Sequence, residues 1–142
     1  MRLPLLSLAV LVAFAVPAFA GDVVVTGGWF RALPASVPSG GYFTLHNGSS
    51  KTITLTGASS PACGMLMLHK TEDKGGTMDM IDMPSIPVPA GTDLKFAPGG
   101  YHLMCTDVTT AMKPGATVPV TLELQGGAKL PVTFVVKNAR GQ

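Results

Sequence analysis

Residues 51–57 read Lys-Thr-Ile-Thr-Leu-Thr-Gly, KTITLTG. On an extended chain Ile53 and Leu55 share one side while Thr52, Thr54 and Thr56 share the other, the period of two made by an antiparallel strand with one buried and one wet face. Similar segments recur on both sides of it: DVVVTGGWF (22–30), GGYFTLHN (40–47), GMLMLHKT (64–71), TDLKFAPGG (92–100), YHLMCTDV (101–108), ATVPVTLELQ (116–125) and LPVTFVVKN (130–138). Each is short, rich in β-branched or aromatic residues, and bounded by Gly, Pro, Ser or Asn. Helical signals are nearly absent. Seven or eight such strands predict an all-β domain, a sandwich or a barrel.

The punctuation agrees. Gly40-Gly41, Asn47-Gly48, Gly75-Gly76, Gly99-Gly100 and Gly126-Gly127 read as turns where the backbone can take positive φ. Pro84, Pro87 and Pro89 are expected to hold MPSIPVPAG (83–91) extended between strands.

The first twenty residues, MRLPLLSLAVLVAFAVPAFA, carry an early Arg2, an apolar run from Leu3 to Val16, a Pro17 break and the small-x-small ending Ala18-Phe19-Ala20. This is the layout of a cleaved secretory signal peptide; the run is short of the roughly 20 residues a membrane-spanning helix needs. Cleavage after Ala20 leaves residues 21–142, enough for one domain with a real core. That mature chain has nine Lys and Arg against eight Asp and Glu, a net charge of +1, with no basic block. Nucleic acid and anionic membranes are poor partners for such a surface.

Methionine is the outlier of composition. Seven lie outside the leader, at positions 65, 67, 78, 80, 83, 104 and 112, and two of the three histidines, His69 and His102, fall in the same interval. Any single methionine is most simply core filling, and any single histidine a hydrogen-bonded structural residue. Their spacing is more specific. Ten residues separate His69 from Met80, twenty-one separate Met80 from His102, and Met104 follows with one residue between. On a strand His102 and Met104 point to the same face, and a hairpin turning at Gly75-Gly76 can return Met80 beside His69.

This H-x10-M-x21-H-x-M pattern resembles the signature of the periplasmic copper chaperones called PCuAC. The resemblance extends through WFRALP (29–34), GGYFTLHN (40–47), SSPACGMLMLH (59–69), GGTMDM (75–80), IPVPAG (86–91) and PGGYHLM (98–104), covering essentially all of the mature chain. It implies a cupredoxin-like, Greek-key antiparallel β-sandwich that is exported to the periplasm and acts as a monomer. It further implies one Cu(I) held by His69, Met80, His102 and Met104 and delivered to respiratory oxidase copper centres, notably CuA, or to another periplasmic copper chaperone. The donor chemistry is consistent with that: thioether and imidazole suit soft Cu(I), and thioethers are not lost to disulfide formation in an oxidising compartment. Met78 shares strand parity with Met80 and is a candidate to assist it, whereas Met83 reads as packing. His46 matches no ligand position and reads as a turn or surface residue. Trp29 and Tyr42 read as packing anchors and Arg31 as a loop brace. Lys70 stands where the family sometimes has methionine.

Cys63 and Cys105 are not required by that pattern. In an exported chain they form most simply a disulfide, joining the two strands that bear His69 and His102; two buried free thiols and a redox or metal-binding pair are the alternatives. Parity turns Cys105 away from His102 and Met104.

Other functional classes fit less well. A blue-copper electron carrier needs a cysteine thiolate beside its histidines, and Cys105 points away. Enzyme signatures such as G-x-S-x-G, H-E-x-x-H and C-x-x-C are missing from the sequence. Copper storage or detoxification uses the same ligands as delivery and is not separable from it by sequence. The cysteine readings separate by thiol labelling of the unfolded mature protein: a disulfide predicts two reactive thiols only after reduction, and full labelling without reductant overturns it.

Overall fold

The computed structural model describes residues 22–142. The expected signal peptide, residues 1–20, lies outside the described residues. Ten strands follow one another: β1 (Val23–Arg31), β2 (Ser39–Asn47), β3 (Ile53–Ser59), β4 (Cys63–Lys74), β5 (Thr77–Asp82), β6 (Ile86–Val88), β7 (Asp93–Phe96), β8 (Tyr101–Val108), β9 (Thr117–Leu124) and β10 (Lys129–Lys137). They hydrogen-bond in the order β5-β4-β8-β7-β2-β1-β10-β9-β3-β6, with β8 also paired to β2, and the ribbon folds over into a cupredoxin-like sandwich whose β3 packs on β4.

Alternation builds the core. In β3, Ile53 and Leu55 are buried while Thr54 and Thr56 are not; in β9, Val118, Val120, Leu122 and Leu124 all point inward. Phe30, Phe43 and Phe134 form the centre, with ring centroids 5.2 Å apart for Phe30–Phe134 and 5.9 Å for Phe43–Phe134. Such offset, tilted packing suits the quadrupoles of aromatic rings.

Three features differ from the sequence expectation. Two strands lie outside the eight segments named from sequence: β5 completes the hairpin after Gly75-Gly76, and the short β6, inside the proline-rich segment, pairs with β3. The pairing is not wholly antiparallel, since β1 runs parallel to β10 and β7 meets β8 in a parallel bridge. Gly40-Gly41 is not a turn but lies inside β2. A Cβ on Gly41 would sit 2.6 Å from the Phe30 ring, and one on Gly40 would sit 2.5 Å from the Tyr42 hydroxyl. Both glycines are demanded by ring volume rather than by backbone curvature. Gly75 and Gly76, by contrast, take φ of +68° and +94° in the two-residue loop between Lys74 and Thr77, where a tight hairpin turn requires positive φ at both positions.

Cys63 and Cys105 are joined, with Cα atoms 5.4 Å apart, although the ladder sets Cys105 against Leu66 and Cys63 against Val108. The alternation of β4 breaks at Gly64, which gives way to Asp107 at φ +49°, and Cys63 turns into the core. Gly28, like Gly40 and Gly41, is a steric glycine: its Cβ would lie 2.4 Å from the ring of fully buried Phe134. Because Phe30 and Phe43 confine that ring, Gly28→Ala is expected to destabilise the fold by about 1–3 kcal/mol through overpacking. Urea unfolding of the variant checks this.

Candidate metal centre

β4 and β8 are antiparallel neighbours whose register sets His69 against His102, Met67 against Met104, and Leu68 against Leu103. Alternation sends Leu66, Leu68, Leu103 and Cys105 into the core. It therefore turns Met65, Met67, His69 and Thr71 of β4, and His102 and Met104 of β8, to the opposite face. β5 widens this face by setting Met78 opposite Asp73, Met80 opposite Thr71 and Asp82 opposite His69. The four residues singled out by spacing, His69, Met80, His102 and Met104, thus share one face of three consecutive strands.

Their environments are unequal. His69 and His102 are only 7% and 6% exposed, with ring centroids 5.7 Å apart and near-perpendicular planes. Met104 is half-buried, and Met80 is 61% exposed on the outermost strand. Met80, His102 and Met104 line a single open cleft of about 240 Å³, whose far wall includes Arg31 and Tyr42. The Arg31 guanidinium sits 5.6 Å from the Trp29 ring centroid and 5.7 Å from that of Tyr42, and Lys137 covers Trp29 at 4.9 Å. Trp29 and Tyr42 pack against each other with centroids 4.7 Å apart and planes tilted by 44°. Arg31 is thereby held by aromatic faces rather than by a carboxylate.

The imidazole nitrogens carry the chemical message. His102 Nδ1 donates to the Gly100 carbonyl at 3.2 Å, so Nε2 keeps its lone pair, and that buried atom has no hydrogen-bond partner. Asp82 Oδ1 approaches His69 Nε2 to 2.5 Å but without the alignment of a hydrogen bond, and both ring nitrogens of His69 lack one. A buried polar atom left unpaired costs about 1–3 kcal/mol, so these imidazoles, His102 with a bare Nε2 and His69 with a bare Nδ1 and only the Asp82 carboxylate at Nε2, call for a further partner. Among the described residues no three His, Cys, Asp or Glu side chains gather into a metal-binding group. A metal held on this face would need methionine sulfur, and the residues present fit a soft cation.

The remaining predicted residues take other places. Met78 is 61% exposed on the same face, Met83 packs against the core edge and Met112 is buried within it. His46 lies on the surface with Nδ1 2.5 Å from Asp93 Oδ1. The hairpin pairs Met80 with Thr71, one step along the strands from His69, and gives His69 the carboxylate of Asp82 as its neighbour. Sequence reasoning passed over Asp82, yet counting outward from a two-residue Gly75-Gly76 turn places it opposite His69.

The fold is that of a class, the PCuAC-type β-sandwich. The copper-bound PCuAC domain of PmoF2 superposes with a TM-score of 0.69 at 19% identity, over 84% of this chain and 95% of that one. The Cu(I) form of DR1885 from Deinococcus radiodurans gives a TM-score of 0.67 at 32% identity, over 85% of this chain and 81% of that one. A family model described as "Putative lipoprotein LpqE-like" matches residues 23–136, and the Leifsonia xyli subsp. xyli protein Lxx21020, which carries the same lipoprotein description, is 32% identical over 123 residues, 86% of this chain and 74% of its own. The chain belongs to the LpqE-like family.

Burial lowers the pKa of His102 from its ordinary 6.5; the Gly100 carbonyl opposes that shift and the neighbouring His69 adds to it. The imidazole is therefore neutral at pH 7, as a ligand must be. Because the folded value lies below the unfolded one, the unfolded chain binds more protons, and the metal-free fold loses stability as pH falls below 6.5 toward the folded value. Urea midpoints at pH 7.5 and pH 5 are expected to differ in that sense, and His102→Gln is expected to flatten the difference.

Proposed function

We propose that this protein is an exported Cu(I) metallochaperone whose cargo is held by His69, Met80, His102 and Met104 and passed by ligand exchange to a copper-acceptor protein, the CuA-bearing subunit of a respiratory oxidase or another periplasmic chaperone. The observation that carries the reading is the buried cross-strand pair of imidazoles, with nitrogens free of hydrogen bonds, beside a cleft shared by His102 and two thioethers. The copper-bound relatives support it, since the 32% identical DR1885 was solved as its Cu(I) form. The lipoprotein description of the family fits export, as does the signal-peptide layout of residues 1–20.

Each ligand has a distinct task. The two buried histidines supply nitrogen from a fixed, solvent-excluded position, so little ordering is needed when the ion arrives. Met104 adds sulfur from the same rigid strand as His102. Met80, out on the edge strand, is the donor an acceptor can displace first. Thioether and imidazole donors bring no charge of their own, so the bound ion keeps its single positive charge. An electron-carrier reading is disfavoured because both cysteines are tied into the disulfide, which leaves no thiolate for a blue-copper site.

Anaerobic Cu(I) titration of the mature chain, with X-ray absorption to count neighbours, tests the assignment. One equivalent with nitrogen and sulfur neighbours is expected. Met104→Ala and His102→Ala are each expected to weaken binding at least about tenfold, the least that disturbing a metal's ligand surroundings costs. Unchanged binding in both variants sinks the site.

A further inference from the structure

The face that bears the histidine pair carries more sulfur than a four-ligand site uses. Met67 is the direct cross-strand partner of Met104, one rung from the His69–His102 pair, and alternation puts it on the same outward face. Directly opposed residues lie about 5 Å apart at Cβ, and like-facing neighbours along a strand about 7 Å apart. The register thus sets Met67 and Met104 on one side of the imidazole pair and Met80, opposite Thr71, on the other; Met67 lies outside the cleft of Met80, His102 and Met104, in a neighbouring depression with Asp82 and Met83. Met67, like Met104, is half-buried, and it is not part of the core cluster. The pattern extends further: among the described residues the exposed large hydrophobic side chains are Val24, Val37, Met65, Met78, Met80 and Val135, and all three methionines among them lie on β4 and β5 of this face. Leucine or valine would serve a merely apolar surface; what methionine adds is a flexible, polarisable sulfur.

We propose that Met67 is a fifth Cu(I)-binding side chain, able to replace Met80 in the ligand set. The inference rests on the Cu(I) reading above. Met67 stands on a strand paired to β8 and covalently tied to it through Cys63–Cys105, whereas Met80 is on the edge hairpin. Exchange of Met80 for Met67 forms one copper–sulfur bond as another breaks, with no change of charge or oxidation state. The ion then stays two-nitrogen, two-sulfur coordinated while Met80 and its hairpin are free to engage another molecule. This gives transfer an intermediate in which the cargo is still fully ligated.

The test uses Met67→Leu, Met80→Leu and the double variant of the mature chain, loaded with Cu(I). All face outward and leucine conserves volume, so the core is untouched. Met80→Leu is expected to retain two sulfur neighbours by X-ray absorption. The double variant is expected to show one, with affinity in competition with a Cu(I) chelator at least about tenfold below Met80→Leu. A single sulfur neighbour in Met80→Leu, or equal affinities for Met80→Leu and the double variant, overturns the role of Met67 and leaves the four-ligand reading standing. Failure of the unsubstituted chain to bind Cu(I), or indifference to His102→Ala, overturns both.

Discussion

The register between β4 and β8 is the constraint on which the rest depends. Because side chains alternate, a slip of one residue would exchange the two faces of a strand, moving His69 inward and Leu68 outward. The register is held from the apolar side. Leu66, Leu68, Leu103 and Cys105 are buried against the opposite layer, and each excludes water only where it now stands. The polar face therefore inherits its geometry from the hydrophobic one, and the two imidazoles meet because the leucines behind them must. The Cys63–Cys105 link closes the same strand pair near its end and ties the arrangement to the covalent chain.

Much of this was legible in the sequence. Alternation in KTITLTG and ATVPVTLELQ fixes which residues are inward without reference to any partner, and the one-residue gap between His102 and Met104 puts them on a common face. The hairpin turn at Gly75-Gly76 was equally plain, since few residues other than glycine enter such a loop. What the chain did not declare were relations between distant segments. Gly40-Gly41 looks like a turn until the ring of Phe30, contributed by another strand, is seen to fill the space a side chain would take. The parallel pairing of β1 with β10 joins the two ends of the domain, and no local pattern encodes it. Asp82 and Met67 were hidden for a different reason: each is ordinary in isolation and gains meaning only from the residue across the ladder.

The face is also a compromise between folding and binding. Two imidazoles with unpaired nitrogens are an unfavourable thing to bury, and a chain selected only for stability would replace them with a pair of leucines or valines. The surrounding core tolerates the cost because it is otherwise complete, with three interlocked phenylalanines and inward aliphatic residues on nearly every strand. The glycines that admit those rings belong to the same arrangement. Arg31, set beside the Trp29–Tyr42 pair, puts a cation in one wall of the cleft.

The edge position of β5 sets up a mechanical gradient across this face. None of its six residues is buried, and it hydrogen-bonds to β4 alone, from Lys74–Thr77 at the turn to His69–Asp82 at the far end. Opening that hairpin breaks one short ladder and exposes almost no apolar surface, while opening β8 would disrupt the core. Local unfolding of this kind costs far less than global unfolding, and amide exchange would register it as a fast-exchanging flap beside slow-exchanging strands. The domain thus behaves as a fixed jaw, β4 with β8, and a compliant one, β5, so that grip and release are assigned to separate parts of one continuous sheet.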